Sequence, residues 1–487
     1  MTVTGTDVEA SAPGEPPARA RGGALGVFRD PLRTFLVLAI PIGVYLACVV
    51  PHFGGIDEPA HFYRAYQIST GSFLPEKFGA SQFSGACIPI DVILARQRDS
   101  SVYAAHLRAI ADIPPDPNVP PITASRVPRC PTDRSLGLVT FSTFGSPVPY
   151  LPQAAAVFVT RSLGTDTDTM LIVARLVVLV TYLALVAIAI RRSPRSKWAL
   201  CAVGLLPIAV IQAASSVSHD AFTTAVALLV VSSALRAVDP PPGTSTRALV
   251  IEALVLSTLL GLCKPVYVVV AACYLLPLLG SRRVKERWPL VFAPALGVAV
   301  SVAWNQAVGG LWKTDAGYFG IRVDDVTQRH ELLHAPWDFA GDLVRTVYHQ
   351  LWLWTQTQVS VGGSITRGPA ILAVLAVLVY AACSLLRDRT EAAAPLHWLQ
   401  RTLILLVFLA GVVVVAAANY VYWTEPGSSQ IGGIQSRYLT PLLVLLPVAI
   451  GPLPFRWARA ADARFPVAAL LAPVLLVFCV MATFRMY

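Results

Sequence analysis

The chain has 487 residues, of which 55% are hydrophobic and 14% charged, with a formal net charge of +10. A water-soluble protein carries roughly a quarter charged residues, and an ionised group in hydrocarbon costs several kcal/mol, so this shortfall excludes an ordinary soluble fold. The Lys and Arg residues cluster in short stretches between apolar runs, as cytoplasmic anchors do; no aromatic-plus-basic groove can be drawn, which excludes nucleic-acid binding.

Residues 1–33 are rich in Ala, Pro, Gly and Arg. They cannot build a core and are too polar for a signal peptide, so they are predicted to form a disordered cytoplasmic tail. Residues 34–487 are predicted to form one transmembrane domain. A crossing needs about 20 mostly apolar residues. Eleven runs qualify, near 34–51, 168–190, 198–214, 219–238, 247–262, 265–279, 289–306, 369–386, 400–421, 438–454 and 466–484. The first has no small-residue cleavage site and is expected to stay as an anchor.

Orientation follows from the basic residues. Arg19, Arg21, Arg29 and Arg33 precede the first run; Arg191, Arg192, Arg195 and Lys197 follow the second. Arg236 and Arg247 flank the turn after the fourth, and Arg282, Arg283, Lys285 and Arg287 follow the sixth. Arg387, Arg389 and Arg401 separate the eighth from the ninth, and Arg456, Arg459 and Arg464 follow the tenth. An N-in start and eleven crossings put all of these in the cytoplasm and the C-terminus outside. Residues 147–163 are also apolar, but a crossing there would invert every later loop. They are therefore predicted to be a juxtamembrane or re-entrant helix. Two long loops, 52–167 and 307–368, then lie outside, and long loops on one face place the working surface there.

The first loop opens with Gly54-Gly55-Ile56-Asp57-Glu58-Pro59-Ala60-His61-Phe62-Tyr63-Arg64. Two carboxylates beside His61 and Arg64, next to a span, are costly to hold without a purpose. Either Asp57 or Glu58 could act as general base on an acceptor hydroxyl. The plainer reading is a helix start, with Asp57 as N-cap and Glu58 and Pro59 in the first turn; both can hold. Further along the same loop lie Cys87 and Cys130, a plausible disulfide in an oxidising compartment. The other cysteines lie in or beside apolar runs as small core residues.

Lys264 lies between two apolar runs and either snorkels to the outer interface or faces an internal anion. Ser218-His219-Asp220 is a similar outer turn, read as a cap for the fourth span. Arg322, Asp324, Asp325 and Arg329 read as surface charges, and Arg175 and Glu252 receive no role. Before the tenth run comes Gln430-Ile431-Gly432-Gly433-Ile434-Gln435-Ser436-Arg437-Tyr438-Leu439-Thr440-Pro441. Arg437 can clamp a phosphate with two donors, flanked by Gln435 and Tyr438. Its plainer reading is a snorkelling Arg beside an interfacial Tyr anchor. No Walker loop, GxSxG, HExxH, CxxC or dinucleotide fingerprint stands in usable context.

Pro51–Arg64, Ser216–Asp220, Lys264-Pro265 and Ile434–Pro441 resemble the recurring motifs of a family of bacterial polytopic membrane proteins. That family is similar in layout to the GT-C glycosyltransferases, including protein mannosyltransferases and lipid A aminoarabinose transferases. The resemblance covers nearly the whole chain after residue 33. It implies an all-α integral membrane fold, a GT-C-like bundle of about 11 helices, N-in and C-out, in the bacterial plasma membrane. It implies transfer of a sugar from a polyprenyl-phosphate donor to an envelope glycan or glycolipid acceptor on the outer face, with inversion. Asp57 is then the first choice of base and Glu58 the second. Arg437 and Lys264 would hold the donor phosphate, with Tyr438, Gln435, His61 and Arg64 around the substrates. Pro147-Val148-Pro149-Tyr150-Leu151-Pro152 resembles the Pro-rich segment many GT-C proteins carry at the end of that loop. Ser436 stands where the family pattern has Gly, and the second carboxylate of some GT-C enzymes has no counterpart. A divalent cation is compatible with this chemistry, but the sequence names no ligands for it. The competing readings are a lipid-linked saccharide flippase, which needs polar residues lining a path through mid-bilayer, and a non-catalytic scaffold on the same fold.

Overall fold

The computed structural model describes residues 24–55, 57–74, 76–77, 84–95, 127, 129–130, 132–140, 146–279, 284–309, 323–359, 367–386, 395–452 and 466–486. Most of the expected tail lies outside these residues, as do Arg282, Arg283, Arg322, Arg387, Arg389, Arg456, Arg459 and Arg464. The tail nevertheless ends earlier than residue 33. Ala24–Arg29 forms a 3-10 helix, and Asp30 caps the helix Pro31–Val49 by accepting from the Arg33 amide at 2.7 Å. An Asp N-cap followed by Pro at the first helical position is a strong start signal.

Among the described residues, six helices are long and apolar enough to cross a membrane: Pro31–Val49, Thr167–Arg192, Asp220–Val238, Thr246–Cys263, Lys285–Val308 and Trp398–Trp423. A seventh follows if Lys197–Gly204 and Pro207–Ser215, bent by 56° at their junction, count as one crossing. Pro207 explains the break, since its ring denies the helix an N–H. The four other apolar runs coincide with shorter helices, Pro265–Leu278, Val374–Ser384, Thr440–Ile450 and Val467–Met481. Length and composition therefore give six or seven crossings among the described residues. The membrane body is helical, as expected.

Asp220–Val238 is the central helix. Of its most apolar stretch 83% is buried, against 39% or less for each of the other five. Those helices turn large apolar side chains outward, among them Val37, Ile40 and Val44 on the first and Leu405, Leu406 and Leu409 on Trp398–Trp423. Apolar surface on that scale belongs in hydrocarbon.

The segment 52–167 has a core of its own. Helix Glu58–Ser69 packs against the strand Ser84–Pro89 and helix Leu151–Ser162, burying Phe62, Tyr63, Tyr66, Ile88 and Val157. Strands β1 (Glu76–Lys77), β2 (Ser84–Pro89) and β3 (Leu136–Thr140) form an antiparallel sheet in that order, an addition to the all-helical expectation. Cys87 on β2 and Cys130 are joined by a disulfide, with Cα atoms 5.6 Å apart. Helix Leu151–Ser162 has 12 residues. At about 1.5 Å per residue it is roughly 18 Å long, too short to cross. In the segment 307–368, Asp324 caps the helix Asp325–His334, and Pro336–Val359 follows.

The helix ends meet in two separate groups. At one end Glu252 takes both Arg192 and Arg236, Arg287 donates to the Val238 carbonyl, and Gln400 donates to the Leu279 carbonyl. At the other, His52 pairs with Asp168, Ser146 donates to the Leu262 carbonyl, and Gln328 donates to the Thr424 carbonyl. The second end carries the site described next.

Candidate functional site

Four turns, far apart in the chain, deliver charge to one place. Arg437, 380 residues from Asp57, donates through Nη2 to its Oδ2. Arg437 Nε also lies 3.6 Å from Asp220 Oδ2. Lys264 Nζ donates to Asp220 Oδ1 at 2.5 Å. The Tyr438 ring lies 4.8 Å from Lys264 Nζ and 5.4 Å from the Arg437 guanidinium, within cation–π range of both. Tyr267 fixes that turn by donating to the Tyr438 carbonyl at 2.9 Å. Two carboxylates thus alternate with two cations, the arrangement that lets buried charge be tolerated. Burial works against the Arg437 charge, but Asp220, Tyr438 and Asp57 outweigh it and raise its pKa.

Asp57 and Glu58 part company. Asp57 stands at the N-cap position with φ +53° and makes no side-chain cap bond. Its side chain is 54% exposed and reaches Arg437 instead. Short polar side chains are among the few that tolerate this left-handed conformation. Glu58 is sealed. Arg175 Nε donates to its Oε1 at 2.7 Å and Nη2 to its Oε2 at 2.6 Å, both side chains fully buried. Arg175 donates further to the carbonyls of Ala47, Val50 and Pro51, the last of which follow the first helix. Carbonyls at a helix C-terminus have no partner within the helix, so Arg175 supplies one. Glu58 is therefore not positioned to act on a substrate. Gly55 closes this corner: a Cβ there would sit 1.9 Å from the Ser215 carbonyl oxygen, so only glycine lets the loop press against the central turn.

His61, one helical turn beyond Asp57, enters a buried chain of polar groups. Its Nδ1 is 2.7 Å from the Tyr150 hydroxyl, which is 2.8 Å from His219 Nδ1. His219 Nε2 faces Asp220 Oδ1 at 3.8 Å, longer than a hydrogen bond. Burial lowers the His61 pKa to about 4, against the opposing pull of the Asp220 and Asp57 charges, so the ring is neutral at pH 7. Burial likewise raises the Tyr150 pKa well above its usual value and keeps the phenol protonated. Ser218 Oγ accepts from the Asp220 amide at 3.1 Å at the start of the central helix, whose N-cap residue, His219, makes no side-chain cap bond.

Two expected substrate residues stand apart. Arg64 turns away, donating to Gln67 Oε1 at 2.5 Å and the Phe73 carbonyl at 2.7 Å, and burial lowers its pKa to about 10. Gln435 is exposed and precedes the 3-10 turn Ser436–Tyr438. Conversely, Tyr150, His219 and Asp220 join the cluster although the sequence suggested a Pro-rich segment and a cap. The usable signal was three polar residues beginning an otherwise apolar run. Among the described residues no group of three or more His, Cys, Asp or Glu side chains could hold a metal ion, so no ligands can be named for a divalent cation.

Among the described residues, Arg437 Nε and His219 Nε2 are buried without a hydrogen-bond partner, both facing Asp220. Orphaned buried donors are rare and call for a specific explanation. A group that binds or reacts at this point would supply one.

Comparison with curated proteins gives no match, and comparison with solved structures gives none either. A family model described as "Predicted membrane protein (DUF2142)" matches residues 40–446, a span containing Asp57, His61, Tyr150, His219, Asp220, Lys264, Arg437 and Tyr438. The chain therefore belongs to the DUF2142 family of membrane proteins.

Proposed function

We propose that this protein is a GT-C-type glycosyltransferase that moves a sugar from a polyprenyl-phosphate donor to an envelope glycan or glycolipid on the outer face of the plasma membrane. The observation that carries the proposal is the meeting of Asp57, Asp220, Lys264 and Arg437 at one end of the bundle, with Asp57 the most exposed of the four. Eleven crossings, N-in, fit the way helix ends meet. The group containing Arg192, Arg236 and Arg287 lies opposite the site, and basic residues mark the cytoplasmic face. The 14 residues of Pro265–Leu278 form a 3-10 helix. At about 2.0 Å per residue it is roughly 28 Å long, near the hydrocarbon thickness.

The chemistry follows from the donor. Its tail stays in the bilayer and its phosphate sits at the interface, where Arg437 and Lys264 supply cations. Arg437 is already held by Asp57, so a phosphate entering the guanidinium fork competes with that carboxylate. Displaced, Asp57 becomes available to take the proton of an acceptor hydroxyl. The hydroxyl oxygen bonds to the anomeric carbon as the phosphate leaves with the bonding pair, and direct attack inverts the centre. The departing phosphate needs charge stabilisation more than protonation. A flippase is less well supported: the buried charge pair Glu58–Arg175 is sealed rather than set along a path.

The test uses the full chain in lipid nanodiscs with a polyprenyl phosphate carrying a radiolabelled hexose and extracted envelope lipids as acceptor. Asp57→Asn is expected to slow donor consumption by about 10²–10⁴-fold, the usual loss of a general base. Arg437→Ala is expected to lose donor binding as well. Consumption unchanged from wild type in both folded variants would overturn the reading.

A further inference from the structure

The buried chain His61–Tyr150–His219 has a direction. Each imidazole is neutral, so each carries one N–H. The Tyr150 hydroxyl has one proton and lies within hydrogen-bond distance of Nδ1 on both rings. It therefore donates to one Nδ1 and accepts from the other. Asp220 decides which. It is bound to Lys264 Nζ at 2.5 Å and approached by Arg437 Nε at 3.6 Å, the setting of an ionised carboxylate. A carboxylate 3.8 Å from His219 Nε2 favours N–H there and disfavours a lone pair. With its proton on Nε2, His219 accepts from Tyr150 at Nδ1. Tyr150 must then accept from His61 Nδ1–H. That leaves a lone pair on His61 Nε2, which has no partner among the described residues, in a side chain one turn from Asp57.

We propose that His61 Nε2 is the proton acceptor that resets Asp57 during sugar transfer, with Tyr150 and His219 as positioning residues that fix its tautomer. The proposal rests on the glycosyl-transfer reading and deepens it. The acceptor O–H breaks as oxygen bonds to the anomeric carbon, and the C–O bond to phosphate breaks with its electron pair going to the phosphate. The proton passes to the Asp57 carboxylate and from there to His61 Nε2. The imidazolium so formed is stabilised through Tyr150 and His219 by Asp220. Asp57 stands at the N-cap of the helix that carries His61 one turn further along, and its charge acts on the buried ring. The charged groups facing His61 are Asp220, Asp57, Arg437 and Lys264; those facing His219 are Lys264, Asp220 and Arg437; those facing Tyr150 are Arg64, Asp220 and Asp57.

Two measurements on the full chain in nanodiscs test this. Nitrogen NMR of ¹⁵N-histidine protein, assigned with His61→Gln and His219→Gln, should show at pH 7 a proton on Nδ1 of His61 and on Nε2 of His219. Tyr150→Phe keeps the ring and should leave both tautomers mixed. Reversed or mixed tautomers in the wild type overturn the proposal. In the radiolabelled-donor assay, His61→Gln should slow turnover by about 10²-fold or more. Tyr150→Phe, which removes one pair of hydrogen bonds, should slow it by about ten-fold. It should also move the acid limb of the wild-type pH profile, set near pH 4 by His61. Wild-type turnover with both variants at wild-type rate and profile overturns the relay while the transfer reading stands. Wild-type protein that consumes no donor overturns the transfer reading, and the proton role with it, whatever the tautomers are.

Discussion

Asp57 and Glu58 are neighbours, and each meets an arginine from far along the chain, 380 residues away for Asp57 and 117 for Glu58. The two pairs nonetheless do opposite things. Asp57 stands just outside the helix in a left-handed conformation while Glu58 opens it, so one carboxylate faces solvent and the other the core. The Glu58–Arg175 pair has no exposed side-chain surface and joins the end of the first helix to helix Thr167–Arg192. The Asp57–Arg437 pair leaves the carboxylate 54% exposed, with a second carboxylate already beside the arginine. A sealed pair cannot exchange partners without unfolding, whereas an open one can yield to an incoming anion. Chemistry belongs with the pair that can open.

The most severe way to break this contrast is to remove half of the sealed pair. Glu58→Gln or Arg175→Met leaves one buried charge unpaired and is expected to destabilise the protein by about 3–5 kcal/mol. Thermal unfolding in detergent measures it, and a melting temperature equal to wild type would show that the pair is not structural. The double variant is expected to lose less than the sum of the two, because the uncompensated charge disappears. It should still fall below wild type, since the carbonyls of Ala47, Val50 and Pro51 lose their donor.

A milder stress acts on the open side through pH. Burial depresses the His61 pKa from 6.5 to about 4 in the folded protein. Between those values the unfolded chain binds the proton and the folded chain does not, so stability rises with pH across that window. His61 therefore contributes stability that is present above about pH 6.5 and is lost as pH falls toward 4. Melting temperatures from pH 7 to pH 4 should decline less in His61→Gln than in wild type. An equal decline would place the acid sensitivity elsewhere.

How much of this was legible depended on whether a residue's cost could be read locally. Each of the eleven apolar runs falls on a helical segment, because hydropathy is a property of the run itself. Whether a run is long enough to cross was less legible: Pro207 bends one by 56°, and Pro447 stands just after the break between Thr440–Leu443 and Leu445–Ile450 in another. Asp57, Lys264 and Arg437 stood out because charge beside an apolar run is expensive. Arg175 received no role, since its partner lies 117 residues away and only the folded chain supplies it. Glu58 could not be told from Asp57, because the sequence does not say which side of the helix faces the core. Tyr150, His219 and Asp220 carry ordinary local readings, and only their convergence gives them another.

The smallest expected effect sharpens the contrast most. Asp57→Asn keeps the shape of the open pair, and an Asn oxygen can still accept from Arg437. The Asp57 carboxylate is 54% exposed and Arg437 keeps Asp220 beside it, so the loss should be about 0–1 kcal/mol and the melting temperature should barely move. Anion binding should change in the opposite direction to catalysis. With the competing carboxylate gone, Arg437 is freer to take a phosphate, and affinity for polyprenyl phosphate should rise, by about five-fold at most on the same energy scale. Glu58→Gln, whose partner does not face the site, should leave that affinity unchanged in the fraction that folds. Binding of polyprenyl phosphate measured by quenching of intrinsic tryptophan fluorescence in nanodiscs decides it. Tighter binding together with lost turnover fits a carboxylate that holds the anion site until a phosphate displaces it. Weaker binding would mean that Asp57 orders Arg437 for the phosphate rather than competing with it, and the displacement step would have to be abandoned.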